Sequence, residues 1–238
     1  MSYAVTDIAA AASIKIDQLD IISNNIANAM TPGYKTEHIR ASVGDNLPDP
    51  TVAQIPRITS SAYIDFTQGI LQRTGDPFDV SIQGEGFFEI ETASGPAYTR
   101  AGNFTITQDG MLVTKSGQPV MGLAGPVIID GNNVQFTRDG GIQVDGVIVD
   151  TLRIVVFEDK SALKRGADGF FFDSGQAGPG EAETINIQSG FLELANTSAA
   201  KEMIHMINVQ RSFELYQKAI WTVSDQDKLS VSRVGRLA

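Results

Sequence analysis

Apolar positions recur along this chain with two different periods, and the period changes twice. From the N-terminus Val5, Ile8, Ala12, Leu19, Ile22 and Ile26 follow one another at alternating steps of three and four once Lys15 is counted as the one polar member of the row. Near the C-terminus Ala199, Glu202, Met206, Val209, Phe213, Tyr216, Ile220 and Val223 keep the same rhythm, with Glu202 as the polar member. A mean step of 3.5 residues places such a row on one side of a helix that lies along another helix. Two coiled-coil-type helices are therefore predicted, one at each end. Between them, from about residue 69, the period falls to two and turn residues become dense. Asp79-Val80-Ser81-Ile82-Gln83 alternates, Phe87-Phe88-Glu89-Ile90 follows Gly84-Glu85-Gly86, and Phe104-Thr105-Ile106-Thr107 leads through Asp109-Gly110 into Met111-Leu112-Val113 as a hairpin. Further short strands are predicted at 127–129, 134–136, 142–144, 147–149, 152–157 and 185–188, separated by Asp139-Gly140-Gly141, Asp145-Gly146 and a glycine-rich run over 166–180.

The punctuation divides the chain. Thr31-Pro32-Gly33 ends the first helix, because proline lacks an N–H and glycine reaches positive φ. The amides of Asn24, Asn25 and Asn28 stand just before that stop, placed to bond backbone groups at the helix end, and Tyr34 opens the next segment. Little periodicity is present from 34 to 61, where Pro48, Pro50 and Pro56 interrupt polar sequence. Asn196, Thr197 or Ser198 can cap the second helix, with Glu202 in its first turn. The expected organisation is an N-terminal helix over 1–30, an extended connector over 31–68, a central β domain over 69–189 and a C-terminal helical segment over 190–238. The fold class is mainly β with terminal α-helices: a central antiparallel β domain, barrel-like or sandwich-like, bracketed by the two helices.

Composition narrows the function more than the fold. With 18 Lys and Arg against 28 Asp and Glu, the net charge of -10 disfavours nucleic acid and anionic membrane surfaces. No apolar run approaches the length of a spanning helix, and the first residues lack the basic and apolar regions of an ordinary secretory signal. The chain has no cysteine, which removes disulfides, thiolate metal sites and cysteine nucleophiles. His38 and His205 are the only histidines and have no metal-ligand companions at a usable spacing. Gly84-Glu85-Gly86 is not followed by a phosphate-binding fingerprint, and the Asp-Gly pairs lack the alternating carboxylates of a calcium loop. The expectation is a chain with no catalytic residues, no metal, no cofactor and no small-molecule substrate. A surface-binding module built on the β domain is the reading that needs no assembly.

Spacing alone leaves the two helical rows open between pairing within one chain and packing between chains. Residues 23–35, Ser-Asn-Asn-Ile-Ala-Asn-Ala-Met-Thr-Pro-Gly-Tyr-Lys, resemble the N-terminal signature of bacterial flagellar rod and hook proteins. The likeness continues through Thr74-Gly75-Asp76-Pro77-Phe78-Asp79-Val80, Tyr98-Thr99-Arg100-Ala101-Gly102-Asn103-Phe104, Gly190-Phe191-Leu192-Glu193 and Gln210-Arg211-Ser212-Phe213-Glu214, and so covers nearly the whole chain. This resemblance implies a helically assembled axial subunit whose partners are further copies of itself, other proximal and distal rod subunits and the flagellar type III export apparatus. It implies residence in the basal-body rod, reached without a cleaved signal peptide. It also implies that Val5, Ile8, Ala12, Leu19, Ile22, Ile26, Met206, Val209, Phe213, Tyr216, Ile220 and Val223 pack between subunits. Within the family the short length and single β domain resemble rod rather than hook proteins, the proximal type first and the distal type as its alternative.

Overall fold

The computed structural model describes residues 3–44, 57–166, 168–182 and 184–234. Two α-helices, one 3-10 turn (Lys160–Ala162) and seventeen short strands occur among them, in two compact units. The first unit comprises Met1–Ala27, Glu37–Asp65 and Ser198–Ala238, and the second Asn28–Thr36 and Phe66–Thr197.

In the first unit helix α1 spans Tyr3–Ala27 and helix α2 spans Ala199–Val234. Ser198 caps α2: its Oγ accepts from the Lys201 N–H at 3.3 Å, three residues on. Replacing Ser198 with Ala should lower helix stability by about 1 kcal/mol, read as faster amide exchange over 199–202 with the β unit unchanged. The helices pack on each other. Their most buried residues are Ala12, Ile14, Ile22 and Asn25 on α1 and Glu202 and Val209 on α2. Ile8, Leu19, Ile26, Met206, Phe213, Tyr216, Ile220 and Val223 are half-buried. The side chain of Val5 lies outside the described residues. The predicted rows thus hold the buried and half-buried positions of two helices that pack on each other.

Residues 31–68, read from the sequence as an extended connector, hold an antiparallel pair of eight-residue strands, β1 (Glu37–Gly44) and β2 (Arg57–Ile64), paired from Glu37↔Ile64 to Gly44↔Arg57. The pair lies against α1 and is joined by cross-strand side-chain contacts. Ser42 and Thr59 hydroxyls lie 2.9 Å apart, and the Arg40 guanidinium and His38 ring both approach the Tyr63 ring.

The second unit is the β domain. Its largest sheet is antiparallel and has six strands in the order Leu163–Arg165, Phe171–Asp173, Gly95–Thr99, Phe87–Thr92, Ile154–Phe157 and Pro179–Glu181. Smaller pairs flank it, including Ile187–Ser189 with Val80–Ile82 and Phe191–Glu193 with Leu71–Arg73. The core is Val80, Ile82, Phe88, Ile90, Leu112, Val127, Ile142, Leu152 and their neighbours, drawn from both the large sheet and the flanking hairpins. The Asp-Gly turns fall where they were expected. Asp145 and Gly146, at φ 50° and 90°, close the hairpin between Val144 and Val147, the double positive φ of a type I′ turn. Asp109-Gly110 closes the pairing of Thr105–Ile106 with Leu112–Val113. Residues 127–129 form no strand; they join by isolated bonds, Ile129 N–H to Gly110 O and Leu112 N–H to Val127 O. Leu163–Arg165, Phe171–Asp173 and Pro179–Glu181 are strands at and around the glycine-rich run, where the sequence pattern predicts none.

Candidate functional site: a clamped turn with a buried charge cluster

Helix α1 stops at Ala27, and the chain enters the β unit as a tight turn. The Thr31 N–H donates to Asn28 O at 2.9 Å and the Thr31 hydroxyl to Asn28 Oδ1 at 3.2 Å. Pro32 and Gly33 carry the reversal, Gly33 at φ +70°. Its N–H donates to Glu193 O at 2.7 Å, and a Cβ built on it would stand 2.3 Å from the Ala101 nitrogen. Only glycine lets the turn lie this close to the 100–101 backbone.

Beyond the turn Tyr34, Lys35 and Thr36 are buried one after another. Lys35 Nζ donates to Glu193 Oε1 and to Thr67 O, each at 2.6 Å, and both side chains of the pair are 1% exposed. Arg100 faces the same carboxylate from the other side: its Nε lies 3.0 Å from Glu193 Oε2, close enough for ion pairing but off the hydrogen-bond axis. Its two amino groups donate to Gly86 O at 2.5 Å and Gly84 O at 2.7 Å. The Gly84-Glu85-Gly86 segment is therefore a receptor for an arginine; both glycines have positive φ and aim their carbonyls at the guanidinium. The Gly69 N–H completes the Glu193 shell at 3.0 Å.

Two cations share one carboxylate here, and the carbonyl dipoles of Thr67, Gly84 and Gly86 solvate the excess positive charge in place of water. Burial pushes the Arg100 pKa below its ordinary value while Glu193 opposes the shift; guanidinium remains charged through any such change. Tyr34 is held from above by Arg165, whose guanidinium stacks 4.4 Å from the ring centre and donates to Lys35 O. Thr36 N–H and hydroxyl both donate to Asn196 Oδ1 at 2.8 Å, and Asn196 Nδ2 donates onward to the Thr67 carbonyl and hydroxyl.

The sequence-predicted residues divide between the units. Thr31, Pro32, Gly33 and Tyr34 meet in the clamped turn together with Asn28. Asn25 belongs to the helical unit, where its amide bonds both the N–H and the carbonyl of Glu37, at 3.1 and 2.9 Å. It thus acts on the first residue of β1. Asn24 is exposed on α1. Sequence reasoning left Lys35, Arg100, Glu193, Asn196 and Arg165 out of the site. The signal available was a lone charge within an apolar or aromatic stretch, as in Tyr34-Lys35, Tyr98-Thr99-Arg100-Ala101 and Phe191-Leu192-Glu193-Leu194; isolated charges in such surroundings are buried only when paired. Among the described residues no group of three or more His, Cys, Asp or Glu is placed to hold a metal ion, and no helix is long and apolar enough to cross a membrane.

Comparison with known proteins finds similarity over most of the chain. Residues 10–35 match the family model described as flagella basal body rod protein, 81–144 the flagellar hook protein FlgE/F/G D1 domain, and 188–230 the flagellar basal body rod FlgEFG protein C-terminal region. The flagellar basal-body rod protein FlgF of Escherichia coli is 34% identical, covering 94% of this chain and 95% of its own length. FlgF of Caulobacter vibrioides is 30% identical over 92% and 93%, and the flagellar basal-body rod protein FlgG of Bacillus subtilis 32% identical over 88% and 90%. The first and third model matches contain the turn residues and Glu193 respectively, so the clamp joins the two family segments at opposite ends of the sequence. The chain therefore belongs to the flagellar basal-body rod protein family and is a structural subunit of that rod.

Proposed function

We propose that this chain is a proximal-rod subunit of the FlgF type that assembles helically and transmits torque along the flagellar drive shaft. The observation that supports assembly is a second apolar row on α2. The row facing α1 is used within the chain, yet Met203, Ile204, Ile207, Leu215 and Trp221 remain about half to two-thirds exposed on its other faces. Burying large apolar side chains contributes about 1.5–3 kcal/mol each, so this row favours further helices beside it. In this reading the inward rows, Val5 through Ile26 and Met206 through Val223, fix each helix pair, and the outward row meets neighbouring subunits in an inner tube of coiled-coil character. The β domain forms the outer layer as a barrel-like body. The chain is not an enzyme; it reaches the periplasmic rod through the type III export apparatus. The proximal assignment is supported by the FlgF relatives. The distal alternative is supported by the FlgG relative of Bacillus subtilis at similar identity.

Deleting the gene in the parent bacterium should abolish motility and leave basal bodies without a complete rod, and the wild-type gene should restore both. Ile207→Asp should leave the purified chain folded by circular dichroism but fail to restore swimming, because a charge on the outward row must be desolvated at each contact. A motile Ile207→Asp strain would remove the support that the outward row gives.

A further inference from the structure

The chain passes between its two units at four peptide bonds, 27/28, 36/37, 65/66 and 197/198. Whatever force reaches the β unit along the backbone enters at these four points. Inside the β unit the entering segments are bound to one another before they join the sheets. Thr36 donates twice to Asn196, Asn196 donates to Thr67, and Lys35 donates to Thr67 as well as to Glu193. Three of the four crossings thus lie within two residues of one connected network, at Thr36, Thr67 and Asn196. The fourth leads into the turn that Gly33 fastens to the Glu193 carbonyl.

We infer that this network is a mechanical joint, which makes the four entering segments move as one and hands their load to the β core through Glu193 and Arg100. Bonds that are stressed in parallel share a force, whereas a single entering strand would be stripped bond by bond. Burial matters for the same reason. Lys35, Glu193 and Thr36 are buried, so a bond stretched at these residues is not readily replaced by water and its break carries a desolvation penalty, whereas the Asn196–Thr67 bonds form the exposed rim of the network. Arg100 anchors the far side, tied to two carbonyls at the entrance of the Phe87–Thr92 strand in the middle of the large sheet. The inference rests on the rod reading above and adds to it a route for torque.

The test compares joint variants with core variants in a deletion strain that carries each gene in full length. Lys35→Met and Asn196→Ala alter the joint; Val144→Ala and Ile142→Val alter the distant core. Melting temperature is measured on each purified chain, and swimming is measured in dilute medium and in medium thickened with polymer. The expected result is that joint variants build filaments and swim in dilute medium but stop under viscous load, while core variants with equal or lower melting temperatures keep swimming. Joint variants that swim under load as well as core variants of matched melting temperature would overturn the inference. So would failure of both joint variants to fold, which would assign the network to stability alone. A deletion strain that swims unaided would instead remove the rod reading itself.

Discussion

Replacing Glu193 with Gln should destabilise the β unit by about 3–5 kcal/mol, the cost of removing one partner from a buried ion pair. The size comes from the charge count. Glu193 is the carboxylate that Lys35 and Arg100 share, so the substitution leaves two buried cations facing each other across a neutral amide. It also turns an acceptor of the Gly69 N–H into a group whose orientation must satisfy Lys35 and Gly69 together. Lys35→Met removes a charge of the opposite sign and leaves Glu193 with Arg100 as a balanced pair. Its expected loss is smaller, about 1–3 kcal/mol, from the charge-assisted bonds to Glu193 and Thr67, since the carboxylate keeps the Gly69 N–H and the Thr67 carbonyl keeps Asn196 Nδ2. Since small domains hold only about 5–15 kcal/mol in all, the first substitution consumes a large part of the total. Denaturant unfolding of the full-length variants gives both numbers. Equal losses, or a loss under about 1 kcal/mol for Glu193→Gln, would mean that the cluster is more solvated than its burial states.

How far the sequence announces this structure depends on the distance over which each signal acts. The helices were legible because a period of 3.5 is a local pattern repeated over many residues, and the Ser198 cap is set by its own side chain. The Asp145-Gly146 turn was legible because two successive positive φ values admit few residue pairs. The β1–β2 pair was not. No sustained alternation of apolar and polar residues marks its strands, and the prolines between them dominate the local pattern. The strands at 163–165, 171–173 and 179–181 escaped because three-residue strands in glycine-rich sequence are held by the neighbouring strand rather than by their own composition. The charge cluster was the least visible part. Lys35 and Glu193 are 158 residues apart, and a lone charge in apolar sequence calls for a partner without naming it. Resemblance located the segments that hold them, but not the bond between them.

Gly33→Ala should cost the β unit about 2–5 kcal/mol, from roughly 1–2 kcal/mol of left-handed backbone strain and a further ~1–3 kcal/mol of overlap. A new Cβ would stand 2.3 Å from the Ala101 nitrogen and 2.4 Å from the Arg100 carbonyl carbon, and both are backbone atoms that cannot swing aside. Relief requires the turn to lift, and lifting breaks the Gly33 N–H bond to Glu193 O at 2.7 Å. Once that bond opens, Lys35, two residues on, is drawn away from the carboxylate. The steric fault thus becomes an electrostatic one. Pro32→Ala supplies the contrast: Pro32 is half-buried beside the same turn, and its replacement should cost at most about 1 kcal/mol through the unfolded chain. The coupling can be measured directly. If Gly33→Ala acts by displacing Lys35, its loss and that of Lys35→Met should overlap, and the double variant should fall short of their sum by about 0.5–3 kcal/mol. Strict additivity would show that the turn and the cluster fail independently, and that glycine here serves the turn alone.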